Sequence, residues 1–227
     1  MQLGVVSGLW RYPVKSMLGE QCARVELEAR GVRGDRLFAV RDAEGKLGSG
    51  KTTRRFSHIG GLFAFRAEDD QVVFPDGHRL AFGHPGIDEA LSGALALPVR
   101  LAREDGIPHF DSAPVHFVTT ASLRWLQADE RRFRPNIVVD APGEGPVEQR
   151  WIGKTLRIGD SVVLRVIEST ERCVMTTFAQ SGLPADPGLL KRIGRAAGLQ
   201  FGVYAEVVHS GTVACGDAIR EQGDPHA

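Results

Sequence analysis

Gly45-Lys46-Leu47-Gly48-Ser49-Gly50-Lys51-Thr52 satisfies the pattern GxxxxGK[ST] letter for letter. Whether this stretch is a phosphate-binding loop decides between an α/β nucleotide-binding fold and a β-rich one. The motif works when a buried strand feeds the loop and a helix follows it, so that the first helical amides and the helix dipole meet the phosphates. Here the strand-like run 36–40 is separated from the loop by polar Arg41-Asp42-Ala43-Glu44. Downstream, Thr53-Arg54-Arg55-Phe56-Ser57-His58-Ile59-Gly60-Gly61 carries no amphipathic helical period and breaks at paired glycines. No acidic strand follows to supply a magnesium ligand. The stretch therefore reads as a β-hairpin with a glycine-rich connection, and a nucleotide triphosphatase is rejected.

The flanking sequence continues in the same manner. Runs 5–10, 23–27, 62–66, 71–74 and 99–101 are short and β-prone, separated by turn signals such as Gly34-Asp35 and Pro75-Asp76-Gly77. Residues 87–95 predict one short helix. A second unit begins near Pro114, with strands over 115–118, 136–139, 155–158, 161–167, 202–208 and 212–215. Thr120 is placed to cap a helix over 122–131, and a later helix over 187–197 closes on Gly198. Segregated strands with few helices predict a mainly β, α+β chain built on β-barrels rather than a βαβ series.

Composition excludes several classes of function. The 227 residues carry 28 Lys plus Arg against 28 Asp plus Glu, so no global charge points to nucleic acid or an anionic membrane. No stretch approaches the ~20 apolar residues of a spanning helix, and the N-terminus lacks the form of a signal peptide. Three widely spaced cysteines, Cys22, Cys173 and Cys215, form neither a disulfide framework nor a zinc pattern. These features are those expected of a cytoplasmic protein with free thiols.

Cys173 has the most suggestive surroundings. A thiolate is both a soft metal ligand and a nucleophile, and the adjacent Arg172 favours ionisation if its guanidinium turns toward the sulfur. The sequence Arg172-Cys173-Val174-Met175-Thr176-Thr177 follows Arg132-Phe133-Arg134-Pro135-Asn136, with Glu148 and Trp151 between them. Tyr12-Pro13-Val14-Lys15-Ser16 and Gly34-Asp35-Arg36 precede both, and Phe201-Gly202 and Gly211-Thr212-Val213 come after. This ordered set resembles the MOSC family, the molybdenum cofactor sulfurase C-terminal-like domains. Within it, the set is similar to the branch with an N-terminal MOSC-associated β-barrel, to which the mitochondrial amidoxime reducing component and its bacterial relatives belong.

The resemblance implies an N-terminal β-barrel domain over 1–105 packed on a MOSC β-barrel domain over 106–227. It implies Cys173 as the catalytic residue and the protein's ligand to molybdenum in a pyranopterin, molybdopterin-type cofactor. Lys15, Ser16, Arg36, Thr119, Arg134, Asn136 and Arg172 would hold the pterin and its phosphate, with Thr53 and Arg54 as weaker candidates. Guanidinium forks, an ammonium and amides suit such a ligand. Pyridoxal phosphate is not favoured. The implied activity is reduction of small N-hydroxylated or related N-oxygenated compounds. Electrons would come from a separate flavin or iron–sulfur protein, with neither nucleic acid nor membrane as partner.

The same cysteine and cations would also serve a cofactor carrier or sulfur relay. Taken singly, Lys15 and Arg36 read equally as solvated cations, and Asn136 as a turn residue. Two departures from the family pattern stand out. Glu171 replaces a serine before Arg172, and Phe178-Ala179-Gln180-Ser181-Gly182 occupies a loop where relatives carry an Asp-Pro pair.

Overall fold

The computed structural model describes residues 1–180 and 182–223. The chain is mostly β, and seven strands close a barrel. Gln2–Arg11 pairs antiparallel with Ile137–Asp140, which runs parallel to Val115–Thr119. The ring continues antiparallel through Gln200–His209, Val162–Glu171, Thr155–Ile158 and Ala218–Glu221, which returns to Gln2–Arg11. Closure leaves no free edge in the ring. The barrel is filled by side chains such as Leu9, Phe117, Ile137, Leu156, Leu164 and Val203, all inaccessible to solvent. Each such side chain stabilises the fold by about 1.5–3 kcal/mol.

Val115–Thr119 is buried at every position, so it does not show simple in–out alternation. Its outward residue Val118 packs beneath Leu123 and Leu126 of helix Thr120–Leu126 and Leu189 and Ile193 of helix Leu189–Ala197. The helices thus cover one side of the barrel. Its first strand and the small sheet of Arg24–Glu28, Gly31–Val32 and Gly211–Ala214 tie the two ends of the sequence together. Val25, Leu27 and Val32 join the barrel's apolar cluster.

A second core lies in the first half. Val14, Met17, Val40, Phe65, Val72, Leu91 and Val99 are packed between two small sheets and helix Ile87–Leu95. One sheet orders Arg100–Arg103, Phe38–Arg41, Leu47–Ser49 and Phe56–His58; the other orders Arg79–Ala81, Gln71–Val73 and Arg66–Glu68. The stretch opening at Gly45 is a hairpin, as its sequence predicts. Gly45 turns with φ 79°, the Asp42 carboxylate accepts from the Lys46 amide at 2.8 Å, and Leu47–Ser49 pairs back on Phe38–Arg41. It then runs parallel to Phe56–His58, with no helix following.

Two local expectations need correction. The run 62–66 is not a strand: Gly61, at φ 81°, starts a single 3-10 turn over Leu62–Ala64. Leu62 and Phe63 both enter the core from this turn, with the Phe65 amide donating to the Leu62 carbonyl. The helix expected over 122–131 is Thr120–Leu126, capped by Thr119 rather than Thr120, with the Thr119 hydroxyl accepting from the Ser122 amide at 3.2 Å. It ends because Gln127 turns left-handed, at φ 54°. Asp129 then caps a separate 3-10 turn, Glu130–Arg132.

Candidate functional site

Lys15, Ser16, Arg36, Arg134, Arg172 and Cys173 line one cavity of about 440 Å³. The first three come from the loops that follow the barrel's first strand. The others come from the turn before Ile137–Asp140 and from the end of Val162–Glu171. Ser16, Arg36 and Arg134 hold left-handed backbones at φ 64°, 49° and 55°. Such conformations cost about 1–3 kcal/mol each in non-glycine residues and persist where the surroundings over-determine them.

The hydrogen bonds show how these positions are fixed. Arg36 pairs with Asp35 and donates to the Arg134 carbonyl at 3.1 Å, while Asp35 accepts from the Tyr12 amide at 2.7 Å. Arg134 donates through Nη1 to the Met17 carbonyl at 2.6 Å, and its buried Nη2 has no partner among the described residues. Burial brings the Arg134 pKa down to about 10, with the Arg36 charge acting in the same direction. Lys15 donates to the His109 carbonyl at 2.8 Å and pairs with Asp111 at 2.7 Å. Burial lowers the Lys15 pKa, and Asp111 opposes the shift. The Asp111 side chain is 63% exposed at the other end of this pair, so solvent screens it. Ser16 donates to the Gly48 carbonyl at 3.0 Å and thus ties the cavity wall to the Gly-rich hairpin.

Arg172 does not spend its guanidinium on the sulfur. It donates to the Phe201 carbonyl at 2.7 Å, to the Phe133 carbonyl at 3.2 Å, and to His116 Nε2. His116 in turn donates from Nδ1 to the Arg134 carbonyl at 3.4 Å. Burial holds His116 well below its ordinary pKa, reinforced by Arg172 and Arg36, so it is the neutral acceptor this geometry requires. Arg172 therefore braces the backbone entering Cys173. Beyond it, Cys173 caps the 3-10 turn Val174–Thr177, its carbonyl accepting from the Thr176 hydroxyl at 2.9 Å. Buried Arg132 donates to the Thr176 and Phe178 carbonyls from the other side of that turn.

Not every predicted residue reaches the cavity. Thr119 is fully buried at its helix cap, where it also donates to Glu148 at 2.7 Å. Asn136 stands behind the wall: its Oδ1 accepts from the His116 amide at 3.2 Å and lies 3.5 Å from Arg36 Nη1. Thr53 and Arg54 are exposed and do not line it. Conversely, Lys51, Asp111, Arg132, His116 and Tyr204 do line it, though the sequence reading named none of them as a site residue. Of the loop that departs from the family pattern, Phe178 packs where a side chain on Gly50 would stand. Ser181 lies outside the described residues.

In total, six Lys or Arg side chains and three carboxylates line the cavity, an excess that suits an anion. Among the described residues no group of three or more His, Cys, Asp or Glu could hold a metal ion alone. A metal at Cys173 would need its remaining ligands from a bound organic group.

The arrangement is that of a double-core β protein with a thiol set in the wall of a cationic cavity. The pattern of the MOSC domain matches residues 98–220, and that of the MOSC N-terminal beta barrel domain matches residues 3–86. The chain belongs to the MOSC family. It is 24% identical to mitochondrial amidoxime-reducing component 1 of Mus musculus, over 96% of this chain and 82% of that protein. The solved structure of the YUAD protein from Bacillus subtilis shares the fold, with a TM-score of 0.53 at 15% identity, over 95% of this chain and 93% of the other.

Proposed function

We propose that the protein is a molybdenum-cofactor-dependent oxidoreductase. It reduces N-hydroxylated or related N-oxygenated compounds with electrons from a separate flavin or iron–sulfur protein. MOSC membership supports the cofactor, and the likeness to an amidoxime-reducing protein supports the reaction class. The observation that carries the reading is the placement of Cys173 in one cavity with cations drawn from both halves of the chain. The donor set fits a phosphate-bearing dithiolene cofactor: a soft thiolate for molybdenum, guanidinium groups for the anion, and a buried Arg134 Nη2 still without a partner.

When bound, the cofactor would supply the two-electron redox chemistry at the N–O bond. The chain's own residues orient it. Cys173 would provide the thiolate, and Arg36 and Arg134 would hold the phosphate and pterin edge. Lys15 adds charge, held at the wall by Asp111. Arg172 and Arg132 are positioning residues, fixing the backbone on either side of the thiol through the carbonyls they bind.

The test is Cys173→Ser, produced in a host that makes the cofactor. Molybdenum per chain and turnover of an N-hydroxylated amidine with a reduced donor should both fall at least about tenfold, with an unchanged circular dichroism spectrum. Cys22→Ser and Cys215→Ser should keep their metal. Parental metal content in Cys173→Ser would remove the proposed ligand. A fully loaded parent that no donor can turn over would favour a cofactor carrier instead.

A further inference from the structure

Beside the cationic cavity lies an apolar one of about 440 Å³, within the size range of sites for small organic molecules. Its walls include Ile59, Leu62 and Phe63 from the first half of the chain, and Met175 and Phe178 from the segment after Cys173. The two cavities adjoin, because Ser16 and Met175 line both. Phe63 also lies against Arg134 of the cationic cavity, whose guanidinium carbon is 5.6 Å from the ring centroid. Their chemistry is nevertheless opposite. No Lys, Arg, Asp or Glu is among the described residues that line the apolar cavity. Its polar side chains are exposed His58, Gln180, and Ser16, whose hydroxyl is spent on the Gly48 carbonyl.

The apolar walls are fixed before anything binds. Gly50 has no room for a side chain: a Cβ there would stand 2.5 Å from the Phe178 ring and 2.9 Å from Met175 Cγ, so both side chains rest on its backbone. Ser49 donates to Met175 Sδ at 3.3 Å, and Arg132 donates to the Phe178 carbonyl at 3.2 Å. The mouth includes Gly60, Gly61 and Ala64, all exposed, and a Cβ on Gly60 would meet nothing within 4 Å. Phe178 belongs to the loop that departs from the family pattern, so this part of the wall is particular to this chain. On the proposed reading, the cofactor occupies the cationic cavity and a substrate's N–O group must reach it beside Cys173. The rest of the substrate then lies in a neighbouring space. The one that shares Met175, two residues beyond the thiol, rewards burial of apolar surface and offers a charged group no partner. We infer, resting on that reading, that this groove takes the apolar body of the substrate, such as an aromatic ring. Phe178 and Met175, with Ile59 and Leu62 opposite, are its specificity-determining residues.

Benzamidoxime and acetamidoxime present the same N-hydroxylated amidine with and without a ring. Calorimetric titration of the cofactor-loaded protein with each, in the absence of a reductant, measures binding apart from turnover. Benzamidoxime should bind at least about tenfold more tightly. Gly60→Leu, which sets a side chain at the mouth, and Phe178→Ala, which removes a ring from the wall, should each narrow that ratio to about twofold. Molybdenum content and circular dichroism check that each variant is folded and loaded, and either variant suffices should the other misfold. Binding of neither compound, equal binding of both, or a preference that survives in the folded variants overturns the groove assignment. Turnover with a reduced donor separates this inference from the reading beneath it. Preferential binding with no turnover of either compound would sink the proposed reaction and leave the apolar site standing. Turnover of both at equal kcat/KM would sink the groove and leave the reaction.

Discussion

Arg36 and Arg134 approach one phenol ring from opposite halves of the sequence, their guanidinium carbons 5.1 and 4.3 Å from the Tyr12 centroid. Two half-buried cations this close repel, and a bound anion would relieve them. Arg36→Ala and Arg134→Ala should each reduce cofactor content after extensive dialysis by roughly ten- to a hundredfold, at about 1.5–3 kcal/mol per charged hydrogen bond. Because Arg36 also donates to the Arg134 carbonyl, the double substitution should depart from the simple sum. Full retention by folded Arg36→Ala would detach the first half of the chain from the site. At this scale, Cys173, Lys15, Arg36 and Arg134 do line one cavity; a cysteine is scarce, but among 28 Lys and Arg the cations were singled out only by the order of the family motifs. Thr119 and Asn136 do not line it; a polar residue beside a strand serves a cap or a backbone carbonyl as readily as a ligand. Nothing local distinguishes those uses.

At the scale of elements, the site depends on two segments that bend sharply. Gly202, at φ 80° in strand Gln200–His209, has no room for a side chain: a Cβ would lie 2.6 Å from His116 Nε2 and from the Phe117 carbonyl. Gly202→Ala should destabilise the protein by more than about 2 kcal/mol, read from the urea midpoint, because backbone strain and overpacking act together. It should also loosen the Arg172 brace, whose Nη2 would be 3.0 Å from that Cβ. The second segment is the hairpin carrying Lys51. Its sequence revealed the missing helix but not that Lys51 reaches the cavity, because that depends on how Gly50 packs against Phe178 and Met175 from a distant loop. Lys51→Ala should weaken cofactor retention several-fold, a change expected of one partly exposed cation. Neither the parent nor the variant should bind ATP in a magnesium-dependent titration. Helix ends were misread for a related reason, since the left-handed turn at Gln127 carries no glycine to announce it.

Across the whole molecule, two buried histidines set a limit on acid stability. Burial and the Arg41 charge hold His109 at about 4, and burial with Arg172 and Arg36 holds His116 well below its ordinary value. In the unfolded chain both titrate near 6.5. The unfolded state thus binds more protons, and stability present above about pH 6.5 is lost as pH falls through the window toward 4. The slope is about 1.4 kcal/mol per pH unit for each histidine, and His109 alone contributes up to about 3 kcal/mol. Urea midpoints should fall steadily from pH 7 to 4.5, and His109→Asn, which cannot acquire the charge, should flatten part of that fall. A profile level from pH 7 to 5 would contradict it. The β-rich architecture was readable from strand-length runs and turn residues. Closure of the ring was not, because pairing between Gln2–Arg11 and Ala218–Glu221 leaves no trace in either segment alone.

That closure has a consequence for biosynthesis. The first barrel strand leaves the ribosome roughly two hundred residues ahead of Ala218–Glu221, its neighbour on one side. At about 5–20 residues per second, that is a wait of roughly ten to forty seconds with Val6 and Leu9 lacking a finished barrel to enter. The first-half core around Phe65 and Leu91 draws on no later segment and is free to form meanwhile. The wall bearing Lys15 and Arg36 can therefore precede the wall bearing Cys173, and the pocket is completed only when strand Gln200–His209, which supplies Tyr204, has docked. Loading of any cofactor would follow the synthesis of that strand.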